Sequence, residues 1–309
     1  MDFTLRHGCK INLSLRVLDR LPNGYHSLES LFAPLSDPAD VLEISLTTSP
    51  GCLASFSDVH TGQNLTHISP ATNTLVKAYD WYAAQTGFAP GLAINVRKGI
   101  PDGAGLGGGS ANAACLLDFL QTRAASKGVT PIERDQLLHG SATIGADVPF
   151  FLIGQATWAT GIGERLQAVR NPAAGLYIVL VCPDTKVPTS WAFQALDAYR
   201  ETAGTSAKED SAQEIKKMTG LHLTSEAGQA TYSLARWEAD GNDFEEVVFP
   251  QFPELSRVRQ SLVDYGAGIA RMSGTGASIF GLFQNRTDAQ KAVKILASKR
   301  LKVYMQQMI

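Results

Sequence analysis

The fold of this chain is decided by Ile100-Pro101-Asp102-Gly103-Ala104-Gly105-Leu106-Gly107-Gly108-Gly109-Ser110-Ala111-Asn112, a stretch in which five of thirteen residues are glycine. It follows an alternating apolar run and precedes a long apolar-periodic segment, so it is predicted to join a strand to a helix. Glycine permits positive φ and lets the backbone approach a bulky anion closely. A helix N-terminus adds N–H groups and the positive end of the helix dipole. The stretch is therefore predicted to be a phosphate-binding loop.

Composition describes a globular protein with no strong charge bias. The 309 residues are enough for one large or two ordinary domains, with 44% hydrophobic and 18% charged residues. The formal charge is -2, which gives no bulk attraction to nucleic acid or to an anionic membrane. No apolar run approaches the roughly 18 residues that a membrane-spanning helix needs. We therefore expect neither nucleic acid nor a membrane as a partner. A monomer or weak homodimer is our expectation for the oligomeric state, which these numbers do not determine.

The cysteines and the first residues indicate a cytoplasmic protein. Cys9, Cys52, Cys115 and Cys182 lie far apart, without a C-x-x-C pair. This spacing is typical of separate reduced thiols and argues against a disulfide framework or a zinc knuckle. Residues 1–8 contain no apolar core of a signal peptide.

An N-terminal strand is predicted because apolar and polar residues alternate strictly from Lys10 to Val17. Lys10 and Asn12 share the face opposite the apolar one, about 7 Å apart along the strand. From periodicity alone, the simpler interpretation of this pair is a solvated outer face.

Other elements follow from capping and turn signals. Residues 73–87 are predicted to be a helix with Asn73 as N-cap and Gly87 just past its end. Gly161-Ile162-Gly163-Glu164-Arg165-Leu166 is predicted to be a hinge-like loop, and residues 212–218 a short helix. From residue 252 onward the order helix, strand (269–272), loop, strand (279–283), helix, strand favours an antiparallel sheet with helices on one side.

Asp147 is the only charged residue between Ala142 and Gln155, a segment that is otherwise apolar or small. A carboxylate in such surroundings is partly desolvated and needs a partner or a chemical role. The alternative is a structural one, in which Asp147 caps a helix or turn before Pro149.

Three phosphate-binding patterns compete for the glycine-rich stretch. The P-loop is excluded, because no Gly-Lys-Ser or Gly-Lys-Thr occurs in the chain. The dinucleotide pattern G-x-G-x-x-G is met by Gly103, Gly105 and Gly108. However, the acidic residue that this pattern requires about 20 residues later, at the end of the next strand, is missing. The third pattern is Pro-x-x-x-Gly-Leu-Gly-x-x-Ser followed by a helix.

The third pattern resembles the ATP loop of the GHMP kinase superfamily of small-molecule kinases. Two further superfamily elements stand in the right order, the strand with Lys10 and Asn12 and a late loop, Ser273-Gly274-Thr275-Gly276-Ala277. The resemblance implies an α+β, two-domain GHMP kinase fold. Residues 1–167 would form a ribosomal-protein-S5-like ATP-binding and catalytic domain, and residues 168–309 a ferredoxin-like C-terminal domain.

Within the superfamily, four motifs resemble the branch that phosphorylates 4-diphosphocytidyl-2-C-methyl-D-erythritol in non-mevalonate isoprenoid precursor synthesis. They are Lys10-Ile11-Asn12-Leu13, Asn23-Gly24-Tyr25-His26, Gly145-Ala146-Asp147-Val148-Pro149-Phe150-Phe151 and Met272-Ser273-Gly274-Thr275-Gly276-Ala277-Ser278. The sequence departs from that branch at Gly8-Cys9, where Pro-Ala is usual, and at Ala111, where a second serine is frequent. The second departure leaves the magnesium ligand unassigned.

The resemblance also implies roles for individual residues. Asp147 would be the base that accepts the proton of the substrate hydroxyl, and Lys10 would orient that hydroxyl and stabilise developing charge. ATP, with Mg2+, would be bound by Asn73, Lys98, Pro101, Asp102, Gly103, Ala104, Gly105, Leu106, Gly107, Gly108, Gly109, Ser110, Ala111 and Asn112. The cytidyl substrate would be bound by Asn12, Tyr25, His26, Thr189, Phe193, Gly274, Thr275 and Gly276, with Tyr25 and Phe193 sandwiching the cytosine ring.

Two alternatives share the glycine loop. Another superfamily kinase, for homoserine or mevalonate, has no use for an aromatic base sandwich. A non-catalytic nucleotide-binding relative would bind ATP without turnover, and its Lys10 and Asp147 would be dispensable.

Overall fold

The structure is a computed structural model that describes residues 2–69, 73–203, 241–299 and 301–309. The chain divides into two units whose segments alternate along the sequence. Unit 1 consists of Met1–Cys9, Ser36–Asp102 and Gly107–Gly154, and unit 2 of Lys10–Leu35, Gly103–Leu106 and Gln155–Ile309. The long strands β1 (Asp2–Arg20) and β2 (His26–Thr47) contribute residues to both units. Because the segments of the two units alternate along the sequence, they do not test the predicted domain boundary at residue 167. That boundary stays a prediction.

Unit 1 combines strands with four helices. Its further elements are β3 (Gly51–Asp58), α1 (Thr74–Thr86), β4 (Gly91–Lys98), α2 (Gly108–Ala125), α3 (Arg134–Ser141) and α4 (Val148–Ile153). The strands lie in the order β3-β4-β2, with β3 parallel to β4 and β4 antiparallel to β2 residues 41–47. Along β4 every second side chain is buried, namely Leu92, Ile94, Val96 and Lys98. The two-residue period of the strand thus places the Lys98 side chain in the interior, at the end of the apolar face.

Both predicted caps of α1 are confirmed. The Asn73 side chain accepts hydrogen bonds from the N–H groups of Leu75 and Val76, at 2.9 and 3.1 Å. Gly87 adopts the left-handed conformation with φ 70° and donates its N–H to the carbonyl of Ala83. Local sequence was sufficient here because both capping interactions lie within four residues.

The predicted hinge-like loop at residues 161–166 is instead the turn of a hairpin, and its last two residues belong to a strand. Two short strands of unit 2, β5 (Thr157–Thr160) and β6 (Arg165–Ala168), form a hairpin in which Thr160 pairs with Arg165. Gly161 and Gly163 have φ of 72° and 106° and allow the tight reversal. Strands this short show no clear period, so only the glycines between them were visible in the sequence.

The rest of unit 2 is built on an antiparallel sheet. Its elements are β7 (Tyr177–Cys182), α5 (Thr189–Ala203), α6 (Glu245–Gln251), α7 (Pro253–Asp264), β8 (Ile269–Met272), β9 (Ile279–Phe283), α8 (Arg286–Ser298) and β10 (Lys302–Gln307). The four strands lie in the order β10-β7-β9-β8, so the last strand is beside the first. The predicted α+β class and ferredoxin-like C-terminal fold are confirmed, and the strands predicted at 269–272 and 279–283 have those bounds.

The remaining predictions concern cysteines, membrane spans and residues 212–218. All four cysteines are free thiols, and burial raises the pKa of Cys115 to about 12. Across the described residues, none of the helices has the length and hydropathy that membrane spanning requires. The helix predicted at 212–218 lies outside the described residues.

Candidate active site

The glycine loop, defined here as residues 101–107, connects β4 to α2 in a conformation that glycine makes possible. Gly103, Gly105 and Gly107 have positive φ values of 70°, 74° and 73°. Gly107 occupies the N-cap position of α2, where it supplies no capping side chain. The first backbone N–H groups of this 18-residue helix therefore donate to no N-cap side chain. They lie at the positive end of the helix dipole. This geometry suits a phosphate.

Within unit 2, the centre of the glycine loop packs against the second glycine loop, residues 273–278. A Cβ on Gly105 would lie 2.4 Å from the Ser273 carbonyl oxygen and 3.1 Å from that of Gly276. The Ser273 hydroxyl donates to the Gly105 carbonyl at 3.2 Å. The close approach of the two loops thus depends on the missing side chain of Gly105.

Lys10 lies beside this pair of loops. The interpretation from periodicity alone, in which Lys10 and Asn12 lie on a solvated outer face, is wrong. Lys10 is only 6% exposed, and Asn12 only 3%. The Lys10 ammonium donates to Asn12 Oδ1 at 2.7 Å and lies 4.8 Å from the centre of the Phe32 ring. The Lys10 backbone N–H donates to the carbonyl of Leu106 at 3.0 Å. A buried ammonium held by an amide oxygen next to a phosphate-loop segment is suited to stabilise negative charge.

Asn12 connects Lys10 to the second glycine loop. Its Nδ2 donates to the Ser30 hydroxyl at 2.8 Å, and its backbone N–H donates to the Ser273 hydroxyl at 3.1 Å. Both ends of the amide are therefore engaged, which fixes the oxygen toward Lys10. The geometry gives Asn12 a positioning role, and its predicted substrate contact stays a prediction.

Asp147 lies in unit 1 at the start of α4, half-buried, and its side chain makes no capping hydrogen bond with that helix. The Asp147 carboxylate therefore does not cap α4, and a cap of the preceding turn stays the structural alternative. Two residues earlier, a Cβ on Gly145 would lie 3.2 Å from the hydroxyl oxygen of Ser110. The turn that carries Asp147 thus packs against the first turn of α2, where the phosphate is predicted to bind.

Two residues of unit 1 that are predicted to bind the nucleotide share a partner that sequence reasoning missed. Lys98 donates to the Asp40 carboxylate at 2.6 Å, and Asn112 Nδ2 donates to the same oxygen at 2.8 Å. Lys98 also lies 3.4 Å from an oxygen of Asp102. Asn112 Oδ1 is buried and has no hydrogen-bond partner in the described part of the chain, so it could accept a hydrogen bond from a ligand. Asp40 gave no signal in the sequence because its donors come from residues 58 to 72 positions later.

The other nucleotide-side predictions are placed as follows. Asn73 Oδ1 serves as the α1 cap, and Nδ2 donates to the Ser69 carbonyl at 3.0 Å, so its predicted contact with ATP stays a prediction. Thr74, which the sequence did not single out, donates to the Gly109 carbonyl at 2.7 Å and ties α1 to the start of α2. Ala111 is fully buried. A hydroxyl at that position would therefore point into the interior, and its absence removes no exposed ligand.

Of the predicted substrate residues in unit 2, His26 and Phe193 form an aromatic pair. Tyr25 follows the turn and is 62% exposed. His26 is buried, stacks on Phe193 with ring centres 5.0 Å apart and planes at 21°, and contacts Asp197 Oδ1 through Nε2 at 2.7 Å. The Thr189 hydroxyl lies 3.1 Å from that of Thr275, so α5 and the second glycine loop are in contact. Asp197 was missed because a single acid on a helix carries no signal of the histidine it orients.

Two more side chains that sequence reasoning missed support the second glycine loop. Asn242 Nδ2 donates to the carbonyls of Met272 and Gly274, both at 2.8 Å. Glu245 accepts from the Met272 N–H at 2.6 Å. Burial raises the pKa of the Glu245 carboxyl, against the opposing effects of that hydrogen bond and of nearby arginines.

Comparison with known proteins agrees with the fold. Residues 73–155 match the GHMP kinases N terminal domain, and residues 226–302 match the GHMP kinases C terminal model. The chain is 40% identical over 301 residues, 97% of each chain, to 4-diphosphocytidyl-2-C-methyl-D-erythritol kinase of Nitratidesulfovibrio vulgaris.

Solved structures of related kinases also align with this chain. A crystal structure of 4-(cytidine 5'-diphospho)-2C-methyl-D-erythritol kinase aligns over 99% of both chains with a TM-score of 0.71 and 30% identity. Homoserine kinase from Cytophaga hutchinsonii aligns with a TM-score of 0.65 and 17% identity, over 99% of this chain and 95% of that one. At that identity the second likeness shows the fold alone.

Proposed function

The chain belongs to the 4-diphosphocytidyl-2-C-methyl-D-erythritol kinases of the GHMP kinase family, and on that premise we propose that it transfers the γ-phosphoryl group of ATP to the C2 hydroxyl of 4-diphosphocytidyl-2-C-methyl-D-erythritol. This reaction belongs to the non-mevalonate route to isoprenoid precursors. The observation that carries the proposal is the buried Lys10 ammonium, held by Asn12 and adjoining both glycine loops.

Phosphoryl transfer depends on alignment and on stabilisation of spread negative charge. Backbone N–H groups between Gly103 and Ser110 would hold the β- and γ-phosphates, together with the dipole of α2. Lys10 would stabilise charge at the reacting oxygens. Since the Asn12 amide fixes the ammonium before substrate arrives, little reorganisation is needed during the reaction.

Asp147 would act as the general base. The C2 O–H bond breaks as its proton passes to the Asp147 carboxylate, and the oxygen forms a bond to the γ-phosphorus. The bond between that phosphorus and the β–γ bridging oxygen breaks, so ADP leaves with the electron pair. Asp147 stands at the N-cap position of α4, in a turn that packs against the first turn of α2.

The residues present are compatible with Mg2+ brought by the nucleotide. Within the ranges that the structure describes, no cluster of three or more His, Cys, Asp or Glu side chains is suited to hold a metal ion. Kinases commonly hold Mg2+ through substrate phosphates and very few protein ligands. When bound, the ion would neutralise charge on the β- and γ-phosphates.

Recognition of the cytidyl group separates this reaction from those of other superfamily kinases. Tyr25 offers an exposed ring for stacking on cytosine, and the neighbouring His26 forms a preassembled aromatic pair with Phe193. Because His26 Nε2 faces Asp197, its Nδ1 is the ring nitrogen left for the polar edge of the base. Homoserine and mevalonate, the alcohols that other superfamily kinases phosphorylate, carry no nucleobase.

Substrate selection tests the function. The protein is incubated with ATP, Mg2+ and either the cytidyl alcohol, homoserine or mevalonate, and ADP release is measured with and without added CMP. We expect turnover with the cytidyl alcohol only, inhibited by CMP competitively against that alcohol. Turnover with homoserine or mevalonate, or ATP binding with no turnover, would contradict the proposal. We expect the enzyme to act in the cytoplasm as a monomer or weak homodimer.

A further inference from the structure

Asp40 is a buried carboxylate for which the reaction described above has no use. It is fully buried on β2, on the same face as the apolar Leu42 and Ile44. An ionised carboxylate in such a place is costly unless it is paired and hydrogen-bonded. Its partners therefore show what it holds in place.

Four donors from unit 1 converge on the two oxygens of Asp40. One oxygen accepts from the Lys98 ammonium at 2.6 Å and from Asn112 Nδ2 at 2.8 Å. The other accepts from the backbone N–H groups of Gly99 and Ile100, both at 2.9 Å. Every donor is short enough for a charge-assisted hydrogen bond.

The four donors lie on both sides of the glycine loop in sequence. Lys98 ends β4, and Gly99 and Ile100 lead directly into the loop, while Asn112 lies in the second turn of the helix that follows. One carboxylate thus fixes the residues before the loop and the helix after it, so the intervening backbone has both ends anchored. Loops positioned in this way hold their N–H groups in a fixed array.

Asp40 also fixes the Lys98 ammonium. A Cβ on Gly108 would lie only 3.2 Å from Lys98 Nζ, so the ammonium is in contact with the first residue of α2. Without Asp40, this buried ammonium would keep the longer 3.4 Å contact to Asp102 as its ion pair. The short bond to Asp40 therefore holds the charge of Lys98 next to the predicted phosphate site.

We propose that Asp40 is the positioning residue of the nucleotide site, acting through Lys98 and through the two ends of the glycine loop without touching ATP. The inference rests on the proposed function. It predicts a loss in nucleotide affinity that a purely structural carboxylate would not cause, and it leaves recognition of the cytidyl alcohol unchanged.

The test compares Asp40→Asn with Glu43→Gln. Glu43 is a matched control on the same strand, since it accepts from the amide of Asn95 at 3.0 Å and from Arg97 at 3.4 Å, but it is half-exposed and makes no bond to the loop's anchors. ADP dissociation constants are measured by calorimetry, and KM is measured separately for ATP and for the cytidyl alcohol.

Misplacement of a positioned group by about 1 Å can cost on the order of 100-fold. We expect Asp40→Asn to weaken ADP binding and raise the KM for ATP at least about tenfold. The KM for the alcohol should stay within about twofold of wild type, because the substrate residues are not anchored by Asp40. Glu43→Gln should match wild type.

A folded Asp40→Asn protein with wild-type ADP affinity would overturn the inference, and so would an equal rise in both KM values. If Asp40→Asn does not fold, Lys98→Gln and the double variant Asp40→Asn/Lys98→Gln replace it. The double variant should bind ADP more weakly than Lys98→Gln, because the loop ends lose their anchor, and equal affinity would refute the proposal. Failure of the proposed function would instead appear as a wild-type protein that binds ADP but does not phosphorylate the cytidyl alcohol.

Discussion

Replacing Gly105 with alanine tests the contact between the two glycine loops. The added Cβ would lie 2.4 Å from the Ser273 carbonyl oxygen. Ordinary contact for such atoms begins near 3.4 Å, so one of the loops must move by about 1 Å. Gly105 also has φ of 74°, where a side chain costs about 1–2 kcal/mol. Overpacking adds about 1–3 kcal/mol.

Gly103→Ala is the matched control for stability. Gly103 has nearly the same φ, 70°, but apart from Gly103 itself and its two chain neighbours no atom of the described residues lies within 4 Å of the place that its Cβ would occupy. Denaturant unfolding should therefore show a loss of about 1–2 kcal/mol for Gly103→Ala and about 2–5 kcal/mol for Gly105→Ala.

The displacement should also reach the catalytic centre. The Ser273 hydroxyl donates to the Gly105 carbonyl and accepts from the Asn12 N–H, and Asn12 holds Lys10. A shift of about 1 Å in this chain of contacts should lower kcat/KM by on the order of 100-fold in Gly105→Ala. If the two alanine variants were equally stable, or if Gly105→Ala kept wild-type kcat/KM, the packing of the two loops would not control the site.

Three further predictions concern the base, the cytosine site and a buried acid. Asp147→Asn should lower kcat by about 100-fold or more with both KM values nearly unchanged, because a general base contributes roughly that much; steady-state kinetics measure it. Tyr25→Ala should raise the KM for the cytidyl alcohol about tenfold, as expected for loss of one stacked ring, and leave the KM for ATP unchanged. Burial raises the pKa of Glu245 above its ordinary 4.5, so folding favours the protonated form. The wild type should lose stability as pH rises from 4.5 through the raised pKa, and Glu245→Gln should not, as unfolding at several pH values will show.

Each of these predictions has a control and a contradicting result. Asp135→Asn removes an exposed acid in the first turn of α3 and should leave kcat unchanged; an Asp147→Asn variant that behaves the same way would remove Asp147 from the base role. The control for Tyr25→Ala is Tyr199→Ala, which removes another exposed tyrosine. Equal changes in the KM of both substrates on loss of Tyr25 would contradict the stacking assignment. Parallel pH curves for wild type and Glu245→Gln would show that Glu245 is not responsible.

Local signals predicted the fold well wherever a structure depends on neighbours in sequence. The α1 caps at Asn73 and Gly87 and the strands at residues 269–272 and 279–283 are examples. The hairpin of β5 and β6 was missed because its strands are short, and its identity depends on pairing with β2 residues 30–32. Because β2 is distant from this hairpin in sequence, no local pattern indicates the pairing.

Sequence reasoning named candidate site residues but not the contacts that they make. Alternation placed Lys10 and Asn12 on one face correctly, yet predicted that face to be solvated; the glycine loops and Phe32 bury it. Asp40 could not be found, because a lone acid in a strand has no pattern and its role appears only when Lys98 turns inward opposite it. The joint action of Lys10 and Asp147 on one hydroxyl stays a prediction.

The position of the new phosphate in the product is the sharpest test of the proposed reaction. The C2 carbon of the methylerythritol unit carries a methyl group and no hydrogen, whereas C1 carries two hydrogens and C3 carries one. A phosphate on C2 has therefore no proton three bonds from phosphorus. In a proton-coupled phosphorus NMR spectrum of the product, we predict a phosphomonoester singlet that appears with ADP in equal amount. A triplet or doublet would place the phosphate on C1 or C3, and formation of ADP with free phosphate alone would contradict transfer to the alcohol.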